Sequence, residues 1–195
     1  MIHRFLSVSS SVLALSALSG CNQSSPLLPS EESPASRPSA VSSGPRMVPW
    51  KESYEASGTI TPDEIRCPAP QLLVSLAGGG KATHVGRYTI INSHCVNPET
   101  GVLTDGTFVK TAANGDQISG TYTGNSEIIQ PPEPIGIFEV TGNLSFTSGT
   151  GRFAGVTGTA EMNGSLRSDF SQEDFPTQVT LVMIGSISSP GSSKH

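Results

Sequence analysis

From Tyr54 onward apolar and polar residues alternate one for one, and no stretch repeats at helical spacing. Tyr54, Ala56, Gly58 and Ile60 oppose Glu55, Ser57, Thr59 and Thr61, the pattern of a strand with one dry face and one wet face. The same alternation carries Ile118, Gly120, Tyr122 and Gly124, then Phe138, Val140, Gly142, Leu144 and Phe146, then Gly158, Ala160, Met162, Gly164 and Leu166. Leu72, Val74 and Leu76 mark a further strand, residues 82 to 95 another, and Phe108 and Val109 another; the nearly continuous apolar run from Val179 to Ile187 brings the count to eight. With 21 Gly, 15 Pro and only 14% charged residues, the composition is one of short strands and turns and excludes a large helical enzyme. Residues 51–195 hold eight Lys or Arg against fourteen Asp or Glu, a net charge of −6, so no surface is expected to hold a nucleic-acid backbone.

The first fifty residues read differently. Met1 to Arg4 form a short basic start, and Phe5 to Leu18 form a run of apolar residues and Ser. As a helix that run would cover about 21 Å, short of the roughly 30 Å hydrocarbon core, so it reads as an export signal in place of a permanent span. Leu18-Ser19-Gly20-Cys21 resembles the bacterial lipobox, which implies cleavage before Cys21 and diacylglycerol on its sulfur. Asn22 is not the Asp that resembles an inner-membrane retention signal, which leans the expected location towards the outer membrane. Residues 22–49 contain 8 Ser and 6 Pro, too little apolar surface to offset ordering entropy. The expected organisation is a signal peptide at 1–20, a lipidated Cys and disordered tether at 21–50, a β-barrel at 51–189 and a disordered tail at 190–195.

Eight antiparallel strands can close into a barrel or stack as a sandwich. Gly58, Gly86, Gly120, Gly142, Gly158 and Gly164 fall on the apolar face, where a closing sheet bends tightly. That favours an all-β, eight-stranded antiparallel barrel over an immunoglobulin-like sandwich, whose Cys-Trp-Cys pattern is missing because Trp50 precedes the first expected strand. Gly78-Gly79-Gly80 and Asn114-Gly115-Asp116 are the expected hairpin turns. With Cys21 committed to lipid, Cys67 and Cys95 remain in an exported chain, and an oxidising compartment favours a disulfide between them. A turn at Gly78 to Gly80 places Cys95 opposite residues 63–65, near Cys67, with Pro68 and Pro70 freeing the chain to bend.

Three strings resemble a known group: TAANGD at 111–116, GTGRFAGVTG at 149–158 and GGGKATHVGRYT at 78–89. They resemble small bacterial exported proteins of the allene oxide cyclase-like barrel group, whose plant relatives include allene oxide cyclases and dirigent proteins. The resemblance covers about residues 55–187 and implies an eight-stranded barrel with a central cavity. It does not extend to the polar pocket residues of the cyclases or to the paired acids of the dirigent proteins. Within the second string the glycines permit a tight reversal, Phe153 can plug an apolar site, and Arg152 reads as a hydrogen-bonding residue at the rim.

Searches for catalytic chemistry end without a candidate. His84 and His94 share a strand parity but lie about 33 Å apart along an extended strand, too far for one metal ion. There is no CxxC, no Gly-x-Ser-x-Gly and no P-loop, and Glu139 and Glu161 sit on wet faces. No catalytic residue, metal site or cofactor is therefore assigned. If Ala82, Gly86 and Ile90 point inward, so do His84 and Tyr88, and Tyr122 joins them as candidate ligand contacts, with Lys110 reaching the same space from one end. The leading expectation is a non-catalytic, lipid-anchored envelope protein whose barrel binds an apolar small molecule or serves a surface role; its partners are then the membrane, through Cys21, and that ligand. The alternatives are a cyclase- or dirigent-like enzyme acting on a lipid or phenolic intermediate, and a structural envelope module.

Overall fold

The computed structural model describes residues 44–191; the expected signal peptide, Cys21 and the tether up to residue 43 lie outside the described residues, as does the tail from residue 192. Eight strands follow in order: β1 Met47–Thr61, β2 Leu72–Ala82, β3 Gly86–Val96, β4 Val102–Ala112, β5 Gln117–Gln130, β6 Ile135–Gly149, β7 Gly158–Asp169 and β8 Thr177–Ser188. Each pairs antiparallel with the next, and β8 returns to β1 from Met47↔Ser188 to Gly58↔Thr177, so the barrel is closed and no strand edge is left bare. The expected fold is the one observed.

Small residues let the walls approach. A Cβ on Gly142 would stand 2.3 Å from the Thr123 carbonyl oxygen and 2.4 Å from Met162 Cε, so β6 can cross its neighbours there only without a side chain. Gly78, Gly79 and Gly80 serve close packing too, and they are not the expected turn. They lie inside β2, with Gly78 opposite Ala56 and Gly80 opposite Tyr54. The β2–β3 hairpin instead pivots on His84, which takes a left-handed φ of 66°, followed by Gly86 at 80°. Gly86 accordingly sits exposed at the turn, off the inner face where it was expected.

β1 also begins earlier than expected. Trp50, assigned to the tether by sequence, is fully buried inside the barrel and meets Phe146 edge-on with centroids 4.8 Å apart. The charged pair Lys51-Glu52 hides the alternation at this point, because Glu52 is an inward residue that happens to be ionic.

The two halves of the interior differ. At the end bearing the connections 83–85, 113–116 and 150–157, Trp50, Phe108, Ile118, Phe146, Phe153 and Ile187 pack solidly. The GTGRFAGVTG string closes this end. Gly151–Phe153 form a 3₁₀ turn, Phe153 is buried, and the Arg152 guanidinium donates to the Val85 carbonyl oxygen at 3.1 Å. Its backbone N–H donates to Asp116 Oδ2 at 3.3 Å, tying the β6–β7 segment to the β4–β5 turn. The other end, with the connections 62–71, 97–101, 131–134 and 170–176, is hollow.

Candidate functional site

The packed half hides an ion pair. Glu52 on β1 and Lys110 on β4 meet at 2.5 Å with both side chains fully buried. Trp50 Nε1 donates to Glu52 Oε2 at 2.9 Å, and the Tyr88 hydroxyl donates to Glu52 Oε1. The ammonium lies 4.8 Å from the Phe108 ring centroid and within 5.6 Å of those of Trp50, Tyr88 and Phe146. Burial pushes the Lys110 ammonium below its ordinary range, and Glu52 opposes that shift. Every polar atom of this cluster has a partner, so it is the floor under the cavity and not a site open to ligand.

Above it is a cavity of about 430 Å³, within the range of small-molecule sites. Ile60, Val74, Leu76, Leu103, Val140, Met162, Leu166, Val179 and Leu181 make its wall apolar. Met183 divides the halves: it lines the cavity, and its Sδ stands 4.0 Å from Lys110 Nζ. The mouth is framed by residues 97–101, Ser126–Ile128 and Pro132, and among the described residues its only charged side chains are Glu99 and Glu127.

Four polar side chains reach this apolar space. Asn92 Nδ2 donates to the Tyr54 hydroxyl at 3.0 Å, and His94 Nδ1 lies 2.8 Å from the Tyr122 hydroxyl. Asn92 is 9% exposed, and its Oδ1 has no hydrogen-bond partner, alone among buried side-chain polar atoms of the described residues. An orphaned buried acceptor is costly and calls for an explanation. Burial, aided by the Arg66 guanidinium, lowers the His94 imidazole to about 4, so it is neutral at pH 7. Burial raises the Tyr54 and Tyr122 hydroxyls above their ordinary range, so both are protonated.

The expected ligand contacts therefore separate. Tyr122 lines the cavity. Tyr88 points inward as expected but is committed to Glu52 in the packed floor. His84 is not in the interior at all: it is exposed at the hairpin pivot, where its Nε2 lies 3.2 Å from the Pro49 carbonyl oxygen. The error follows from the misplaced turn, which carried strand parity past the point where the chain reverses. Lys110 is inward, buried in the floor. The parity that correctly turned Tyr88 and Ile90 inward also turns Asn92 and His94 inward, and that signal was available for both. Phe146 and Phe153 lie in the packed half, while Phe138 and Met162 border the cavity.

The Cys67–Cys95 disulfide is present, with Cα atoms 5.5 Å apart. Its expected register was wrong: Cys95 stands opposite Leu73, not residues 63–65. Pairing with β4 is interrupted between Ser93 and Cys95, where His94 lines the cavity and its neighbour Cys95 holds Cys67 of the 62–71 connection. Arg66 reaching Thr107 at 3.4 Å and Gln71 reaching Thr104 at 3.3 Å fasten the same connection to β4. Compared with known proteins, the chain matches no family model, no curated protein and no solved structure, so what the cavity holds must be read from the residues that line it.

Proposed function

We propose that this is a lipid-anchored envelope protein whose barrel binds an apolar small molecule in its hollow half without transforming it. The observation that carries the reading is the 430 Å³ apolar cavity with a buried, unpartnered Asn92 Oδ1 inside it. A purely structural module would gain by filling that volume, since a void forfeits packing on every lining side chain. The anchoring part rests on the lipobox-like Leu18 to Cys21 and, for the outer membrane, on Asn22. The outer wall supports attachment over spanning: Lys51, Ser53, Glu55 and Ser57 face outward on β1, and Thr159, Glu161, Asn163 and Ser165 on β7, the reverse of a lipid-facing barrel. Binding is tested with N-phenyl-1-naphthylamine, whose fluorescence rises in apolar surroundings. The purified chain should enhance it saturably, and Val140→Trp, which fills the cavity, should abolish the signal while the β-sheet circular dichroism persists. Enhancement that survives Val140→Trp would place the probe elsewhere and defeat the reading.

A second reading has its own observation, the neutral His94 imidazole held against Tyr122 inside an apolar chamber. The imidazole is too weak a base to hold a proton at pH 7, but with Tyr122 it can hydrogen-bond and orient a bound intermediate, the role a cyclase- or dirigent-like enzyme acting on a lipid or phenolic compound would give it. Turnover that His94→Phe abolishes while probe binding remains would favour this reading over simple binding.

A further inference from the structure

We propose that the ligand of the hollow half is a neutral hydroxylated amphiphile, an apolar body carrying one hydroxyl that donates to Asn92 Oδ1, and not a fatty carboxylate. The inference rests on the binding reading above and adds the chemical class.

Three observations converge on it. Asn92 Oδ1 is an acceptor with no donor, while its Nδ2 is already spent on the Tyr54 hydroxyl. A carboxylate brings only acceptors, so it would leave that oxygen unpaired and add its own repulsion. A hydroxyl brings the missing donor and keeps acceptor capacity for a neighbouring phenol.

The second observation is the charge of the lining. Among the described residues, no Lys or Arg borders the cavity, and the neutral His94 supplies no cation at pH 7. A desolvated carboxylate in an apolar chamber without a countercharge is strongly disfavoured. The mouth acts in the same direction. The four connections around it carry Asp63, Glu64, Glu99, Glu133, Glu173 and Asp174 against the single cation Arg66, so an approaching anion meets repulsion.

The third concerns cations. Those acids would attract an ammonium amphiphile to the mouth, but of them only Glu99 borders the cavity, and it does so from an exposed position, while Glu52 deeper in is already paired to Lys110. An ammonium in the cavity would therefore sit without a countercharge, which leaves the neutral donor as the group that matches both levels.

The experiment is displacement of N-phenyl-1-naphthylamine from the purified full chain at pH 7.5 by three molecules of equal chain length: 1-decanol, decanoate and decylammonium. Decanol should displace the probe at a concentration about tenfold lower than either ion, a difference of about 1.4 kcal/mol. In Asn92→Leu, with the probe's affinity for the variant measured directly and used to correct the displacement curve, decanol should lose about five- to tenfold in affinity. Decanoate or decylammonium displacing as well as decanol overturns the ligand class. Decanol displacement unchanged in Asn92→Leu overturns the assignment to Asn92. A wild-type chain that binds no probe at all defeats the binding reading itself, and is told apart from both because no displacement is then measured.

Discussion

Lys110 and Glu52 show how a barrel interior accepts charge: among the described residues each is the only opposite charge in ion-pair contact with the other, and aromatic rings exclude water from both. Removing one partner strands the other, so Lys110→Met should destabilise the barrel by about 3–5 kcal/mol in urea unfolding. Combining it with Glu52→Leu should recover most of that loss, because the pair as a whole contributes little beyond its mutual neutralisation. A single variant as stable as the wild type would show that the pair is not charged in the fold. His94 makes a separate demand. Its pKa in the fold, about 4, lies below its ordinary 6.5, so the unfolded chain binds the extra proton first as the pH falls. Stability is therefore full above about pH 6.5 and is lost as the pH falls towards 4, with about 2 kcal/mol gone by pH 5 from this group alone. Urea unfolding at pH 7 and pH 5 checks this, and His94→Gln should remove most of the difference. Parity in the sequence was enough to turn both Asn92 and His94 inward. What it lacked was any mark that one would keep an unpaired oxygen, since that depends on partners contributed by β1 and β5.

At the scale of elements, the β2–β3 hairpin is where sequence reasoning both succeeded and slipped. Alternation located the two strands, because Ser75 and Lys81 on β2 and Arg87, Thr89 and Ser93 on β3 mark the wet face. The three glycines looked like a turn because glycine permits positive φ, yet Gly78 and Gly80 answer a different need, the close approach of β2 to β1 beside Tyr54 and Ala56. His84 takes the positive φ instead, and a non-glycine residue at such a pivot leaves no clear trace in sequence. The disulfide was still legible because the expectation rested on the cysteine count and an expected oxidising compartment, with register only a supporting step. Its strength is a matter of loop closure. Cys67 and Cys95 are separated by 28 positions, and opening the bridge should cost about 3–4 kcal/mol in the chain-entropy model. The Cys67→Ser, Cys95→Ser double variant should unfold at correspondingly lower urea and should bind N-phenyl-1-naphthylamine more weakly, since the 62–71 connection stands at the cavity end. A double variant as stable as the oxidised wild type would mean that Arg66, Gln71 and the barrel wall hold that connection without it.

For the whole molecule, the decisive property is that one half of the barrel is solid and the other hollow, and sequence could not place that division. Parity says which side chains point inward but not how high along the axis each one sits; height comes from the register of eight pairings, including the shifts at Ser93/Cys95, Leu103/Gly106 and Ser119/Gly120. Tyr88 and Tyr122 are thus equally inward by parity, yet one is sealed in the floor and the other faces the cavity. The same asymmetry separates binding from attachment. The barrel's outer wall is polar along β1 and β7, which favours Cys21 as the route of the proposed membrane contact. Two acyl chains on one sulfur are enough for stable anchoring, whereas a single chain gives only marginal binding. Growth with a palmitate analogue should label the wild-type protein and leave it in the membrane fraction after a high-salt wash. Cys21→Ser should be unlabelled and soluble, yet should bind N-phenyl-1-naphthylamine with unchanged affinity, because every described residue that lines the cavity lies between Tyr54 and Met183. Membrane retention of Cys21→Ser through the salt wash would refute attachment by lipid, and loss of probe binding in that variant would show that anchor and barrel do not act independently.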